Sequence, residues 1–431
     1  MTPADVTRLA EGLIRAGEAL RTRTSSEIAE TLGRVGERFL GAQDPIRTAA
    51  LKALPTTAGL SPEMARATLD GMARDWTRPR LKRLLEIEFG DPSSLDGLVD
   101  GGNRTEMAIG PTLCAQFVAG GVPGVSVSAL IRGLLVKGPT FVKPGRGDET
   151  LPTLFERALR EEDAEVADAL AVRYWRGGST LLDDALLAAA DTVTAYGSDA
   201  TVQALRARLP PATRFVGYRH RVSIGVIGRG ALSAGFAART ANDVAAAVGM
   251  FDQRGCVCPQ AVYVEEGGGV SPSEFARELA RASVDFEVEF PSGPLAAEEA
   301  AAVHQLRGNA ELHEGVGAGH VDHGGSTGTW TVIFEPEVME GPSGLSRAIR
   351  VRPIDDVVQL AELLRPIGAH LQTVGVAGLD DRLRALAPAW GRLGASRVVP
   401  FREVAFPPPW WLHDGRGPLR ELVRWVEMRS D

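Results

Sequence analysis

Cysteine is scarce in this 431-residue chain, which has three: Cys114, Cys256 and Cys258. An odd, sparse set excludes a disulfide framework and agrees with a reducing compartment, so a cytoplasmic protein is expected. Excess positive charge is missing too. With 47 Lys and Arg against 55 Asp and Glu the net charge is -8, so there is no broad cationic surface of the kind that phosphate-backbone affinity requires, and nucleic acid is not an expected partner. The N-terminus, MTPADVTRLAEGLIRAGEAL, lacks a basic segment leading into an unbroken apolar one; it carries acids early and has the spacing of an amphipathic helix, not of a signal peptide. The longest uncharged run lies between Glu106 and Arg132 and is interrupted at Gly110-Pro111, Gly120-Gly121 and Pro123. That predicts a buried strand, a turn and a buried helix rather than a membrane span. Internal repeats and low-complexity tracts are likewise lacking.

What remains is the composition of a globular enzyme, with 44% apolar and 24% charged residues. The length exceeds what one hydrophobic core serves and implies two larger domains with smaller appendages. Residues 1 to about 100 show helical spacing of Leu, Ala and Val among Arg and Glu, with a helix start at Ser61-Pro62-Glu63. From about 108 the pattern becomes short apolar runs alternating with helical stretches. We read strands in TLCAQFVA, PTFVKP, ALAVRYWRGG and DTVTAYG, and helices in PGVSVSALIRGLLVKG, LPTLFERALREED, LLDDALLAAA and DATVQALRARL. This alternation implies an α/β fold with a parallel sheet covered by helices on both faces and a nucleotide site at the strand C-termini. A second α/β segment follows, with the helix TANDVAAAVGMF, the strand AVYVEE and a Ser-x-x-Glu capping box at Ser271 to Glu274, before a Pro- and Trp-rich tail, FPPPWWLHDG, and the amphipathic LRELVRWVE.

FDQRGCVCPQAVYVEE is the most informative stretch. It sets Cys256 between a helix end and a strand, flanked by Gly255 and Pro259, a setting suited to exposing one side chain. A thiolate attacks carbonyl carbon well and leaves as a thioester that hydride can reduce. The residues alone leave open that Cys256 and Cys258 are both packed core thiols. The segment resembles the catalytic-cysteine stretch of the aldehyde dehydrogenase superfamily. It is closer still to the acyl-CoA reductase family typified by the fatty-acid reductase subunit of bacterial bioluminescence, whose nucleophile lies in an Asp-Gln-x-x-Cys-x-x-Pro context. The resemblance makes Cys256 the nucleophile.

Other stretches carry the same resemblance in family order. PTFVKPGRGDETLP resembles the superfamily strand ending in Lys-Pro, which assigns Lys143 to the adenine-side ribose of the cofactor. Where NAD-preferring relatives carry an acid this chain has Arg146, whose guanidinium suits the 2′-phosphate of NADPH. DTVTAYGSDATVQALRARLP resembles the Gly-Ser turn that meets the pyrophosphate at a helix start, so Gly197 and Ser198 join the cofactor-binding set. By the residues alone the alternative, a plain Ser/Asp helix cap, stays open and is the commoner use of such a turn. HLQTVGV, RVVPFREVAFPPPWWLHDG and LVRWVE are also family-like, and the resemblance spans roughly residues 100 to 431.

The implied fold is aldehyde-dehydrogenase-like, with a Rossmann-type parallel-sheet cofactor domain and an α/β catalytic domain. The expected division is a helical N-terminal region over 1–100, an NADP-binding domain over 101–248, a catalytic domain with Cys256 over 249–399, and a tail over 400–431 that packs back or lies at a subunit interface. The implied activity is NADPH-dependent reduction of an acyl-CoA or acyl-carrier thioester to the aldehyde, closest to that of long-chain acyl-protein thioester reductases. An acyl-transferring partner protein and a homo-oligomer come with the resemblance. Reduction of an acyl phosphate or adenylate, or a weakened acyl-binding relative, are the alternatives.

Two departures from the superfamily stand out. Gly121, in GGVPG, takes the place of an Asn that helps to hold the oxyanion. VSIGVIGRGALSAGF has no counterpart of the Glu-Leu-Gly-Gly motif: no acid lies between Arg221 and Asp243, which argues against hydrolysis of the acyl-enzyme and is compatible with acylating chemistry. His320, Asp322 and His323 fall within four residues but lack further ligands at a recognisable spacing, so a flexible glycine-flanked loop is expected there and no metal is assigned. Trp410, Trp411 and His413 are expected to pack the tail onto the body or a neighbouring subunit.

Overall fold

A computed structural model of the chain describes residues 1–100, 104–325, 329–337 and 346–429. The chain divides into two compact units. The first comprises Met1–Ala58, Arg66–Arg219 and Pro408–Asp431, and the second Gly59–Ala65 and His220–Pro407.

The first unit opens on helices at Pro3–Thr22, Ser25–Arg38 and Pro45–Ala58. Capping boxes at Thr2 with Asp5 and at Thr24 with Glu27 satisfy the N–H groups that a helix start leaves unpaired. Its strands are β1 (Val99–Asp100), β2 (Thr105–Ile109), β3 (Cys114–Phe117), β4 (Thr140–Lys143), β5 (Leu170–Val172), β6 (Thr192–Tyr196) and β7 (Arg214–Tyr218). The last five form a parallel sheet in the order β5-β4-β3-β6-β7, joined by helices Val125–Leu135, Thr150–Glu162, Ala164–Asp168, Thr180–Ala189 and Asp199–Arg206. β3, β4, β5 and β6 are buried almost throughout, as a strand covered on both faces must be.

In the second unit, β8 (Val222–Ile227), β9 (Pro259–Glu265), β10 (His320–His323), β11 (Thr331–Phe334), β12 (Ala348–Ile354), β13 (Leu371–Ala377) and β14 (Arg397–Pro400) form a seven-stranded sheet in the order β10-β11-β12-β9-β8-β13-β14. All pairings are parallel except β10 with β11. The closing amphipathic stretch is a strand, β15 (Arg424–Met428), which pairs antiparallel with β2 and completes a three-stranded sheet with β1.

Three sequence expectations change. Residues 220–248 were grouped with the cofactor domain, but β8 pairs with β9 and β13 in the second sheet, and the helix Ala234–Gly249 belongs to that unit. The expected flexible loop at His320 to His323 is the edge strand β10, since backbone pairing to β11 outweighs the flanking glycines. The expected tail over 400–431 divides at Pro407, with Phe401–Glu403 in the second unit. Within the first unit, Trp411, His413, Tyr218 and Tyr196 stack ring on ring with centroid spacings of 4.4, 4.2 and 4.5 Å, and Arg80 lies 4.5 Å over Trp410. The aromatic residues of the tail thus pack onto the end of β6 and β7. Among the described residues no helix is long and apolar enough to cross a membrane.

The N-terminal helices are tied to the sheet layer by aromatic packing. Phe39, Trp76 and Phe155 meet with centroids 5.5 to 6.4 Å apart, two of the three contacts edge-on. Gly36, inside a helix, allows the approach: a Cβ there would overlap the Trp76 carbonyl oxygen. Helix propensity alone favours Ala over Gly by about 1 kcal/mol, whereas crowding a packed contact costs about 1–3 kcal/mol. Because the neighbour is backbone and cannot swing away, we expect Gly36→Ala to lower stability by about 1 kcal/mol or more, read as a lower urea midpoint at unchanged slope.

Candidate active site

The helix Ala234–Gly249 runs into a short turn, Met250–Gln253, in which Phe251, Asp252 and Gln253 take φ of 58°, 52° and 61°. Three consecutive L-residues in the left-handed region are strained, each by about 1–2 kcal/mol, and persist only if their surroundings over-determine them. Here they do. The Asp252 carboxylate is buried and accepts from Arg347 Nε at 3.0 Å, Arg347 Nη2 at 2.7 Å and the Gly293 N–H at 3.2 Å. Arg347, also buried, donates through Nη1 to Glu287 and lies 5.2 Å over the Phe286 ring.

Gln253 acts as a second brace. Its Nε2 donates to the Pro259 and Ala348 carbonyls at 2.8 and 2.7 Å, and its Oε1 accepts the Ala348 N–H at 2.8 Å. One amide therefore closes the loop 253–259 on itself and ties it to the first residue of β12. Inside the loop, Ser223 Oγ on β8 donates to the Cys256 carbonyl at 2.6 Å and accepts the Thr373 N–H of β13 at 3.3 Å. The Cys258 N–H donates to the Gly255 carbonyl at 3.0 Å.

The three thiols differ in setting. Cys256 is exposed, while Cys114 and Cys258 are buried. Burial, and then the proximity of Cys256, pushes the Cys258 thiol up to about 12; burial, then Asp191, pushes Cys114 up as well. Neither buried sulfur can readily become a thiolate, the form that attacks carbonyl carbon. Cys258 is thus the packed core thiol and Cys256 the accessible one.

Beside this loop, β8 carries no carboxylate. Gly225 on β8 and Gly375 on β13 are register partners, and the buried Phe401 ring lies across both; a Cβ on either would crowd that ring. A side chain long enough to activate water cannot be placed at 225 without displacing the ring.

In the first unit the other predicted residues gather on one sheet edge. Lys143 ends β4, in register with Phe117 of β3, which is itself in register with Ala195 of β6; Gly197 and Ser198 follow two and three residues later. Two strand spacings separate the β4 and β6 ends by roughly 10 Å. Lys143 is half-buried, its Nζ 6.0 Å from the Tyr174 ring centroid, and burial lowers its pKa against the opposing pull of Asp183 and Glu149. Arg146 is exposed, three residues beyond the strand. Ser198 caps the helix Asp199–Arg206 by accepting the Thr201 N–H at 3.2 Å. The N-terminus of helix Val125–Leu135 on the same edge is already filled by a carboxylate of the chain: Asp148, which is buried, accepts the Gly124 and Ser126 N–H groups at 2.7 and 2.8 Å. Of these two helix starts, the one at Ser198 is therefore the better suited to a phosphate.

A sequence profile of the acyl-CoA reductase (LuxC) family matches residues 22–425. The chain belongs to that family. The long-chain acyl-protein thioester reductase of Aliivibrio fischeri is 23% identical over 405 residues, spanning 93% of this chain and 81% of the relative. That of Vibrio harveyi is 22% identical over 408 residues, spanning 93% and 82%. Among solved structures, an NAD-dependent benzaldehyde dehydrogenase from Corynebacterium glutamicum superposes with a TM-score of 0.73 at 16% identity, covering 100% of this chain and 91% of that one. Aldehyde dehydrogenase C of Pseudomonas syringae, a cysteine-to-alanine mutant complexed with NAD+ and octanal, gives 0.75 at 14% identity, covering 99% and 89%. The acyl-CoA reductase therefore has the aldehyde dehydrogenase fold expected from its sequence.

Sequence reasoning singled out Cys256 but missed its supports, Asp252, Gln253, Glu287, Arg347 and Ser223. Asp252 and Gln253 stand in the quoted motif, yet only the structure shows them bracing the loop; Arg347 lies 95 residues from Asp252 and left no local signal. Breaking a buried ion pair by removing one partner typically costs about 3–5 kcal/mol, so Arg347→Met should lower stability on that scale in guanidinium unfolding. A loss below about 1 kcal/mol would mean that the pair does not hold the loop.

Proposed function

We propose that this chain reduces a long-chain acyl thioester, presented as acyl-CoA or on an acyl carrier, to the aldehyde, with Cys256 as nucleophile and NADPH as reductant. The observation that carries the reading is the exposed Cys256 on a strained, doubly braced loop in a chain of the acyl-CoA reductase family.

The Cys256 thiolate attacks the acyl carbonyl carbon, the C–S bond to the carrier breaks, and the carrier leaves as its thiol, so that the acyl group becomes a thioester on Sγ. When bound, the nicotinamide supplies the two electrons that reduce this thioester. The aldehyde then departs and the Cys256 sulfur is restored. Each turnover consumes one acyl thioester, one NADPH and one proton and releases one carrier thiol, one aldehyde and one NADP+. Hydrolysis competes poorly because β8 carries no acid and Phe401 fills the space over Gly225 and Gly375.

The residues of the first unit suit the reductant. Lys143 and the turn at Gly197 and Ser198 lie on the C-terminal edge of a parallel sheet, where the pyrophosphate and ribose of a dinucleotide bind. Exposed Arg146 supplies the positive charge that a 2′-phosphate needs. In this reading acyl groups arrive on a carrier or from an acyl-transferring partner protein, and the enzyme is a metal-free homo-oligomer. Its three cysteines, none of them in a disulfide, suit the reducing cytoplasm.

Intact-mass spectrometry after exposure to a panel of acyl-CoAs should show one acyl adduct on the wild-type chain and none on Cys256→Ser, which should also form no aldehyde. Full acylation of the variant would remove the proposal. Separately, Arg146→Glu should shift the ratio of kcat/KM for NADPH to that for NADH by at least about tenfold toward NADH, since a charge-assisted contact is replaced by repulsion. An unchanged ratio would locate the 2′-phosphate elsewhere.

A further inference from the structure

We propose that Asp148 is a positioning residue for cofactor selection, tying the loop that carries Arg146 to the start of the first crossover helix so that the guanidinium is held at a defined place. The inference rests on the reading of Arg146 as the 2′-phosphate contact.

The loop after β4 contains Gly145 and Gly147, and by composition it should be mobile. The structure fixes it at three points. The backbones at Gly120 and Gly145 touch so closely that a Cβ on either would overlap the other segment, and the Arg146 carbonyl lies directly against Gly120. The Asp148 N–H donates to the Gly145 carbonyl at 3.2 Å, closing a turn around Arg146 with Gly147 at a φ of 96°. Beyond that turn the Asp148 carboxylate, 1% exposed, accepts the two N–H groups at the start of helix Val125–Leu135.

That helix has no side-chain cap of its own. Its N-cap is Gly124, at a φ of 98° and packed against Trp76 and Met72. A Ser or Asn at that position would satisfy the N–H groups locally without burying a charge. The left-handed backbone and the tight contacts with Trp76 and Met72 disfavour one, and the cap comes instead from two residues beyond Arg146. The helix start and the Arg146 loop are therefore tied together: two N–H groups at the positive end of the helix hold a buried carboxylate, and the carboxylate anchors the loop. Burial pushes the Asp148 carboxyl up to about 7 against the pull of Ser126 and Gly124, so the titrations are run above that, at pH 8. With its backbone anchored, Arg146 need order only its own side chain on meeting a phosphate.

The test is calorimetric titration of the full chain with adenosine 2′,5′-bisphosphate and with 5′-AMP at pH 8, for wild type, Asp148→Asn, Arg146→Ala and the double variant. Asp148→Asn should weaken the 2′-phosphate ligand by about tenfold, the scale of one charge-assisted hydrogen bond, with 5′-AMP changed less than about threefold. The double variant should bind no more weakly than Arg146→Ala alone. The ratio of kcat/KM for NADPH to that for NADH should fall in parallel through KM, with kcat little changed. Equal weakening of both ligands, or additivity in the double variant, would reduce Asp148 to a structural cap and overturn the inference. If Arg146→Ala leaves 2′-phosphate binding unchanged, the cofactor assignment itself fails and the inference with it. If Arg146→Ala weakens that binding and Asp148→Asn does not, only the inference fails. Asp148→Ser, which keeps an oxygen acceptor without the charge, replaces Asp148→Asn should the latter not fold, and the same outcomes decide.

Discussion

A thiol a few residues ahead of a buried parallel strand would by default be drawn into the core, as Cys258 is. Cys256 lies outside the core where the chain just before it is turned through three left-handed residues, a turn braced by the bonds of Asp252 to Arg347 and Gly293 and by the Gln253 amide. The buried pair is the constraint that ties the Cys256 loop to a segment 95 residues away. Taking two charges out of water is costly, and an ion pair that merely balances that cost adds little net stability. Its value here is geometric, because a left-handed turn of non-glycine residues relaxes unless several bonds oppose it together. Arg347 supplies two of those bonds, the Gly293 N–H a third, and the Gln253 amide three more.

The same logic divides the thiols by chemistry. Burial, the largest of the effects on Cys114 and Cys258, sets them apart from the exposed Cys256, since low dielectric disfavours the thiolate. The strand beside the nucleophile is equally selective about water. A glycine pair on adjacent strands lets an aromatic ring lie flat where an acidic side chain would otherwise fit. That suits an acyl-enzyme whose product is decided by reduction, because a water-activating base is kept out of the strand by packing as well as by sequence.

In the first unit the allocation of helix termini does comparable work. Each crossover helix presents a positive end at the strand C-termini, and an α/β fold can use such ends for its own carboxylates or for a ligand's phosphates. Asp148 occupies the start of the first crossover helix, whereas the start at Gly197 and Ser198, which we propose for pyrophosphate, holds, among the described residues, no carboxylate cap from a distant segment. The tail contributes by stacking Trp411 and His413 onto Tyr218 and Tyr196 at the same sheet edge.

The sequence by itself determined the element types where the period of burial shows locally: the alternation from β3 to the Asp199–Arg206 helix and the capping box at Ser271 were legible from hydrophobic spacing and cap chemistry, whereas the edge strand β10 was not. It also determined the family, through the Cys256 motif and the stretches around Lys143 and Ser198 in their order. Only the tertiary structure decided which sheet a strand joins. β8 follows the first unit directly in the chain but pairs with β9 and β13, and the amphipathic pattern near the C-terminus became β15 because β2 offered an open edge. The same holds for the supports of Cys256 and the cap supplied by Asp148. Arg347 and Asp252 meet across 95 residues, and Asp148 and Gly124 across 24. Periodicity and capping rules describe neighbours along a helix or strand. Hydrogen bonds between distant segments are settled by how the layers pack, and local patterns carry no record of that.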